Sequence, residues 1–335
     1  MIQINPQAEA QVNNRSTAAI TICCYTEARW DAICASIRSA QAQEFEDFTV
    51  IVIVDYNPAL KQRLMEAFPE VTVIENHEKK GLSGARNSGI KAAHARFIAF
   101  LDDDAVAEPQ WLSNLCALFS DPNVMGTVGK IIPNFTGSYP AWFPIEFYWV
   151  IGCSYRGLPT ERAEVRNLIG GCMCVRSEIF NLAGVFRSGI GRVGTIPLGG
   201  EETEFCIRAR QTRPNGRFVF EPAARMHHEV PPNRTGWHYF RSRCYAEGLS
   251  KALIAQLVGA RDGLSSETSY ARRILPSGVL RGLGDFLFRF DVHGIQRAVA
   301  IVAGLAITMA GYTRGRLQIR QPDLPHPNLS AGDLE

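Results

Sequence analysis

Residues 97–104 read FIAFLDDD, an apolar stretch that runs directly into three aspartates. Two similar stretches come earlier, at residues 19–25 (AITICCY) and 49–54 (TVIVIV), and the second is followed by Asp55. Between them, apolar residues recur at the three- and four-residue spacing of a helix face. Alternating strands and helices at this spacing predict βαβ units and a mostly parallel sheet.

Polar side chains follow the predicted strands, and ligands of open α/β sheets bind beyond these strand ends. Tyr25 and Glu27 follow the first strand, Asp55 the second, and the triple aspartate 102–104 a later one. Three adjacent carboxylates repel one another unless a cation neutralises them. Their oxygens select hard cations such as Mg²⁺ or Mn²⁺. A solvated acidic turn is the alternative, but the position after a buried strand favours a metal and phosphate site.

Three further clusters have the chemistry of a binding site. Residues 81–87 (GLSGARN) open a helix with Arg86 near its start, which fits either an anion site or an ordinary helix beginning. Residues 199–204 (GGEETE) place acids in a first helical turn, where they also stabilise the helix without any ligand. The pair His227 and His228 at a strand end is either structural or metal-ligating.

The composition is that of a globular protein with a sizeable core. Its 335 residues are 46% hydrophobic and 20% charged, with a net charge of +2. These values exclude a disordered chain, a collagen or a coiled coil, and they predict no nucleic-acid partner. Nine irregularly spaced cysteines are typical of buried thiols in a reducing compartment. The polar N-terminal residues lack a signal-peptide pattern, so we expect a cytoplasmic protein.

The last third of the chain differs from the rest. Pro231-Pro232 predicts a boundary between a main α/β domain (18–232) and a C-terminal helical region (233–320), with flexible ends at 1–17 and 321–335. Residues 298–313 are uncharged but shorter than the roughly 20 residues that cross a bilayer. Arginines flank this stretch. The region therefore lies on an anionic membrane surface, packs on the protein or a second subunit, or spans a membrane with mismatch.

Taken in order, these motifs resemble those of family-2 glycosyltransferases. CYTE (24–27) corresponds to the family's T-Y-N-type turn, and Asp55 corresponds to its strand-end Asp. Residues 81–90 correspond to G-x-x-x-A-R-N-x-G-I, and FLDDD (100–104) corresponds to F-L-D-x-D. EETEFCIR (201–208) corresponds to E-D-x-x-[LF]-x-x-R, and His227 to the strand-end His. The match covers roughly residues 18–243. The resemblance implies a GT-A fold, an α/β Rossmann-like domain with a mostly parallel central sheet, here with a C-terminal helical extension.

The resemblance also implies roles. Tyr25 would stack on the base, Asp55 would accept the base N–H, and Arg86 would reach the base or pyrophosphate. Asp102 would bind ribose, and Asp104 would hold the metal with His227 as a second ligand. Glu202 stands where the family has its general base, usually Asp. The donor-binding set is Tyr25, Glu27, Asp55, Arg86, Asp102 and Asp103; the acceptor-side set is Gly171, Glu201 and Trp237.

The implied reaction is an inverting, Mg²⁺- or Mn²⁺-dependent transfer of a sugar from a UDP-sugar to an acceptor hydroxyl. The acceptor is a glycan, a lipid-linked or a small molecule, and the enzyme is cytoplasmic, with peripheral attachment to the inner face of the plasma membrane as an option. A sugar nucleotidyltransferase is an alternative, but CYTEAR (24–29) lacks the Gly-rich basic loop that it needs. An inactive sugar-nucleotide-binding protein is another, against which Asp104, Glu202 and His227 argue.

Overall fold

The computed structural model describes residues 16–191, 198–259 and 269–319. Its first half alternates strands and helices, as the apolar runs predict. The elements are β1 (Ser16–Cys24), α1 (Trp30–Gln41), β2 (Phe48–Val54), α2 (Pro58–Ala67), β3 (Thr72–Glu75), α3 (Leu82–Ala92) and β4 (Ala95–Asp102). Residues 1–15 and 321–335 of the predicted flexible ends lie outside the described residues, whereas Ser16 and Thr17 already belong to β1.

The second half of the sheet region is less regular in sequence. It contains β5 (Ala105–Ala107), α4 (Trp111–Ala117), β6 (Val124–Phe135), β7 (Ala163–Val165), β8 (Cys172–Arg176), α5 (Ser177–Ala183), α6 (Glu201–Thr212) and β9 (Arg217–Val230). A 3₁₀ segment, Ile145–Ile151, lies in the aromatic-rich stretch between β6 and β7. Its Phe147 contacts Phe240, with ring centroids 5.3 Å apart. This stretch is therefore an ordered cover.

The described residues form a nine-stranded sheet in the order β3-β2-β1-β4-β8-β6-β9-β5, with β7 paired to β9. The first four strands are parallel, so their carboxyl ends meet at one edge. β8 runs antiparallel between β4 and β6, and β6 and β9 are parallel again. The predicted mostly parallel α/β sheet is confirmed. All nine cysteines are free thiols, and all but Cys23 are buried.

The described part of the C-terminal region contains three helices, α7 (Trp237–Val258), α8 (Leu275–Arg289) and α9 (Val292–Ile319), with a π-helical turn at Tyr270–Ile274 before α8. α9 extends beyond the uncharged stretch 298–313 at both ends, and it continues through Arg314 and Arg316 because arginine is a good helix former. Within the described residues, one helix, Val292–Gln318, is long and apolar enough to cross a membrane by length and composition. Its most apolar stretch is 33% buried inside the protein.

Glycines bring the backbones of α7 and α9 together. A Cβ built on Gly248 would lie 2.1 Å from the carbonyl oxygen of Thr308, and one on Gly311 would lie 2.2 Å from that of Tyr245. No side chain fits between the two helices at these points. The glycines therefore allow α9 to pack closely along α7, with one face towards the protein and the other outward.

Candidate active site

A cavity of about 1080 Å³ lies beyond the carboxyl ends of β1, β2 and β4. Its other walls come from the aromatic cover, from the start of α6 and from the C-terminal helices α7 and α9. Most of the residues predicted from sequence line it. Those residues are Tyr25, Asp55, Arg86, Asp102, Asp103, Asp104, Gly171, Glu201 and Glu202.

Asp104 is surrounded by cations. Its Oδ1 lies 3.1 Å from Nε2 of His228, and its Oδ2 lies 3.1 Å from a guanidinium nitrogen of Arg234 and 3.4 Å from one of Arg29. Burial by itself would raise the pKa of Asp104, but the positive charges of these three side chains outweigh it and hold the pKa well below its usual range. In turn Asp104 overcomes the effect of burial on His228 and raises the pKa of that imidazole to about 10.

Asp102, Asp104 and His228 can converge on one ion. Each offers one ligand atom, and these atoms all lie within 4.8 Å of one another. Two carboxylates with an imidazole suit Mn²⁺, and the oxygens alone suit Mg²⁺. The donor set therefore fits the divalent cation that the sequence predicts, with Asp102 as an additional member.

The structure places His228, rather than the predicted ligand His227, next to Asp104. Successive side chains of a strand point to opposite faces, and in β9 it is His228, buried and paired in register with Ala105, that faces Asp104. His227 is 43% exposed, and its Nε2 lies 3.1 Å from Oε1 of Glu108, outside the cavity. The histidine pair in the sequence is a signal for the site, but it does not reveal which member faces the aspartates.

The side chain of Asp103 faces Arg29, which lies in the turn after β1. Its Oδ1 accepts a hydrogen bond of 2.9 Å from Arg29, and its buried Oδ2 has no partner among the described residues. Burial, followed by the nearby charge of Asp104, raises the pKa of Asp103 to about 7. Arg29 and Arg234 thus neutralise part of the acidic turn. The sequence analysis missed both arginines because they come from a 3₁₀ turn and a proline-rich connection that lie far apart in the chain.

Arg86 connects the acidic turn to the start of α6. It is buried and donates a 2.6 Å hydrogen bond to Oε1 of Glu201, while its other terminal nitrogen lies 3.6 Å from Oδ1 of Asp102. Burial would lower its pKa, but Glu201 and then Asp102 more than offset this and raise it. Glycines make room for the arrangement, since a Cβ on Gly170 would lie 2.6 Å from the guanidinium and one on Gly171 only 2.0 Å from Oδ2 of Asp102.

Glu202 is half-buried at the cavity wall. Burial, with the neighbouring negative charge of Glu201 as the next cause, raises its pKa to about 8. A carboxylate with such a pKa can accept a proton near neutral pH. Glu204 does not line the cavity; it is fully buried and pairs with Arg187 and Arg208, each at 2.8 Å. The three acids of this helix start therefore have three different environments.

Tyr25 and Asp55 lie at the same sheet edge as the acidic turn, after the neighbouring strands β1 and β2. The Tyr25 ring is exposed, with the Arg29 guanidinium 5.6 Å from its centroid. Asp55 accepts hydrogen bonds from the Asn76 side chain at 2.6 Å and from the backbone N–H of Gly81 at 3.0 Å. These bonds fix the Asp55 carboxylate at the cavity wall, below the start of α3.

Besides His227, two other predicted site residues lie outside the cavity lining. Glu27 is exposed in the 3₁₀ turn after β1, and Arg29, two residues later, faces the aspartates in its place. Trp237, at the first position of α7, stacks on Phe240 with ring centroids 5.3 Å apart and contacts Trp142 rather than the cavity. The structure therefore does not bring Glu27 or Trp237 to the site.

The C-terminal helices supply a second part of the cavity that the sequence analysis did not assign. From α7 come Tyr239, Arg243, Glu247 and Lys251, and from α9 come Leu305, Thr308, Met309 and Tyr312. The spacing of the α7 residues, every fourth position from 239 to 251, is a regular polar stripe of one helix face. That stripe was the signal available in the sequence. Together, α7 and α9 form a cavity wall with both charged and apolar groups.

The family model "Glycosyl transferase family 2" matches residues 19–182, which contain the acidic turn, Asp55, Arg86 and Gly171. The chain belongs to glycosyltransferase family 2. As a member of that family, this glycosyltransferase transfers a sugar from a nucleotide-sugar donor. Of the curated proteins, the glucosyl-dolichyl phosphate glucuronosyltransferase of Haloferax volcanii is 26% identical to it over 303 residues, covering 89% of this chain and 96% of the relative.

Solved structures support the GT-A fold of the glycosyltransferase. A mannosyltransferase from Pyrobaculum calidifontis, solved with GDP-Man and Mn²⁺, superposes with a TM-score of 0.55 at 16% identity, covering 91% of this chain and 92% of the other. GalNAc-T7, solved with UDP, GalNAc and Mn²⁺, gives a TM-score of 0.51 at 18% identity. That match covers 79% of this chain and 57% of GalNAc-T7.

Proposed function

We propose that this glycosyltransferase moves a sugar from a UDP-sugar to an acceptor hydroxyl with inversion at the anomeric carbon. The observation that carries the proposal is the position of Glu202, a carboxylate of raised pKa, in the same cavity as the cation-capable trio Asp102, Asp104 and His228. A base on one side and a diphosphate-binding group on the other are what a direct displacement needs.

The donor occupies the end of the cavity formed by β1, β2 and β4. Tyr25 offers an exposed ring on which a base can stack, and the fixed carboxylate of Asp55 can accept the uracil N–H. Arg86, although paired with Glu201, brings positive charge to the place where the diphosphate would pass. The related structures hold UDP in one case and GDP-Man in the other, so the choice of uracil rests on the resemblance of Tyr25 and Asp55 to the family's base-binding residues.

The cation would be held by Asp102, Asp104 and His228. When bound, it neutralises the negative charge that develops on the departing diphosphate. The Mn²⁺ in both related structures supports this assignment. Before a cation enters, Arg29 and Arg234 balance the Asp104 charge, so these two arginines would have to rearrange or share the carboxylate with the ion.

Glu202 acts as the general base. Its carboxylate takes the proton of the acceptor hydroxyl as the acceptor oxygen bonds to the anomeric carbon, and the bond from that carbon to the diphosphate oxygen breaks, releasing UDP. Glu201 is engaged by Arg86 and is therefore the weaker candidate for the base. Glu201 and Gly171 line the same cavity, Glu201 next to Arg86 and Gly171 next to Asp102.

We also propose that the acceptor is lipid-linked and that the enzyme works peripherally at the cytoplasmic face of the membrane. The relative from Haloferax volcanii supports this, because its name specifies a dolichyl phosphate substrate. The apolar helix Val292–Gln318 supports it independently. A lipid-linked acceptor also suits the mixed charged and apolar wall formed by α7 and α9.

A panel of nucleotide sugars tests the proposal. UDP release should appear with one or a few UDP-sugars, should rise when an acceptor is added, and should vanish with a metal chelator and return with Mn²⁺. A sugar nucleotidyltransferase would instead form a nucleotide sugar and pyrophosphate from a nucleoside triphosphate and a sugar 1-phosphate, or consume pyrophosphate together with the nucleotide sugar in the reverse direction. An inactive binding protein would be stabilised by UDP-sugar without turnover, and either result would overturn the proposal.

A further inference from the structure

The hairpin of α8 and α9 has an outer face of exposed apolar side chains. We define this outer face by Leu280, Leu287, Phe288 and Phe290 around the hairpin tip and by Val299 and Val302 on α9, all of them exposed. Phe288 and Phe290 are 83% and 87% exposed. Single exposed apolar residues are ordinary, but six of them on one helical hairpin, two with aromatic rings, indicate an interaction surface.

The charge around the outer face is strongly positive. Residues 269–319 contain seven arginines and two aspartates, with no lysine or glutamate. Both aspartates, Asp285 and Asp291, already bind Arg297, at 3.0 and 2.7 Å. Arg289, between the two exposed phenylalanines, lies 3.2 Å from Asp285 and is itself largely exposed. The surface therefore combines apolar side chains with a net positive charge that is suited to an anionic partner.

We propose that the outer face docks on an anionic lipid bilayer, with α8 and α9 lying in the interface and the phenylalanines at the tip inserted among the lipids. Aromatic and aliphatic side chains with adjacent arginines are what an interfacial helix uses, the apolar groups entering the acyl boundary and the cations binding lipid phosphates. Leu287, Phe288 and Phe290 would insert deepest, since they stand together at the turn between the helices.

The packing of α9 favours lying on the bilayer over crossing it. Arg297 donates a 3.0 Å hydrogen bond to the carbonyl of Ala141, in the aromatic cover. Further along, the backbone of α9 touches that of α7 at Gly311. A helix that crossed the membrane would have to give up these contacts along its inner face. The amphipathic placement leaves them intact and puts only the outer face in lipid.

A second copy of the chain is the competing occupant. A twofold contact places the same patch of each copy against the other. If the axis passes through the hairpin tip, Arg289 of one copy would approach Arg289 of the other across a surface from which water is excluded. The Asp285 that lies 3.2 Å from Arg289 also binds Arg297, so one carboxylate already serves two arginines in each copy. Charge complementarity therefore selects the anionic bilayer.

The cavity opens beside the outer face. Met309 lines the cavity and is also 60% exposed, so it stands at an opening between the site and the outer surface of α9. Val302 lies two helical turns earlier, on the same side of the helix. This part of the inference rests on the lipid-linked acceptor proposed above: the lipid stays in the bilayer while the sugar enters past Met309.

Vesicle flotation with the full-length chain tests the docking surface. The double variant Phe288→Ser/Phe290→Asn removes both rings; asparagine is chosen because residue 290 has a φ of 55°, which asparagine tolerates. We expect the wild type to float with phosphatidylglycerol-containing vesicles more than with pure phosphatidylcholine. The double variant should partition onto the phosphatidylglycerol-containing vesicles about ten-fold less than the wild type. Raised salt should weaken the binding of the wild type to these vesicles. Leu182→Ser, an exposed leucine on α5, should float like the wild type.

Each other outcome has a definite meaning. Equal flotation of the double variant and the wild type overturns the docking surface. A wild type that does not float but sediments as a dimer, with the double variant monomeric, assigns the surface to a second copy instead. UDP release from the donor alone, in water, should be the same in the wild type and the double variant. Flotation without any UDP release would contradict the proposed function while leaving the docking surface in place.

Discussion

Arg86 and Glu201 form a buried ion pair of 2.6 Å that joins the start of α3 to the start of α6. The pair occupies one oxygen of Glu201, and the other oxygen is buried without a partner among the described residues. Glu202, next in the chain, forms no ion pair with a cation among the described residues, and it lines the cavity with a raised pKa. Two adjacent glutamates are thus separated in function, one positioning Arg86 and the other available to accept a proton.

Glu202→Gln should therefore reduce kcat by about 10²–10⁴-fold, because the amide keeps the size of the side chain but cannot accept the proton. The KM for the donor should change little, since donor contacts lie on other residues. Steady-state kinetics with a saturating acceptor measures both. Glu201→Gln should instead raise the donor KM by loosening Arg86. If Glu201→Gln instead lowered kcat and Glu202→Gln did not, the general base would be Glu201.

The pH dependence should report the Glu202 carboxylate. Its pKa is raised, so the basic form that catalysis needs is lost as the pH falls, and kcat/KM should rise with pH to a plateau above about 8. Glu201→Gln removes the neighbouring negative charge and should move this limb to lower pH. Glu178→Gln, on exposed surface outside the cavity, should leave it in place. If Glu201→Gln leaves the pH dependence of kcat/KM unchanged, a group other than Glu202 is responsible for it.

The histidine pair offers a matched test of the metal site. His228→Gln should weaken Mn²⁺ binding by about 100-fold or more, since loss of even an outer-sphere partner of a metal costs 10–100-fold. His227→Gln should bind Mn²⁺ like the wild type, because His227 lies outside the cavity. Mn²⁺ titration followed by electron paramagnetic resonance measures both affinities. Equal losses in the two variants would mean that the strand, not a ligand, had been disturbed.

Gly171→Ala should impair the metal site by displacing the side chain of Asp102. The new Cβ would stand 2.0 Å from Oδ2 of Asp102 and so displace that carboxylate. At a cost of about 1–3 kcal/mol for such overpacking, binding of Mn²⁺ and donor should weaken by about ten-fold. Gly199→Ala is the control, because a Cβ there has no atom within 4 Å. Calorimetric titration with UDP and Mn²⁺ compares the two, and an unchanged Gly171→Ala would contradict the close contact.

Asp104→Asn should destabilise the metal-free protein. Three adjacent carboxylates alone would predict the opposite, since removing one relieves repulsion. The three cations around Asp104 reverse the sign, and loss of a buried partner of this kind costs on the order of 3 kcal/mol. Because the pKa of Asp104 is held low, this contribution is present above its unfolded pKa and lost in acid. Urea unfolding at pH 7 and pH 3 with chelator present measures it.

Much of the fold follows from local pattern. The apolar runs of β1, β2 and β4 and the acids at their ends place Asp55 and Asp102–Asp104 at one edge, because parallel strands of one sheet share that edge. The start of α6 was equally predictable from its glycines and glutamates. These features depend only on short stretches of chain, and the structure has them where the sequence analysis put them.

The choice between His227 and His228 could not be made in this way. In β9 the pairing with β6 shifts after Glu221, so that Gly129 pairs with Glu221 but Lys130 pairs with Arg225. Counting alternate faces from the apolar run 218–220 therefore gives the wrong phase beyond the irregularity. The cations Arg29 and Arg234 were missed for a related reason, since only the tertiary fold brings a turn after β1 beside the connection after β9.

The glycine contacts between α7 and α9 have a consequence for how such enzymes diversify. A helix that packs backbone to backbone cannot be exchanged alone, because any partner must supply the same small residues at the same positions. In this chain α9 also carries part of the cavity wall and the proposed bilayer surface. Natural recombination or a designed chimera would therefore have to exchange α7, α8 and α9 as one unit. The proposed acceptor choice and membrane preference would then be transferred together.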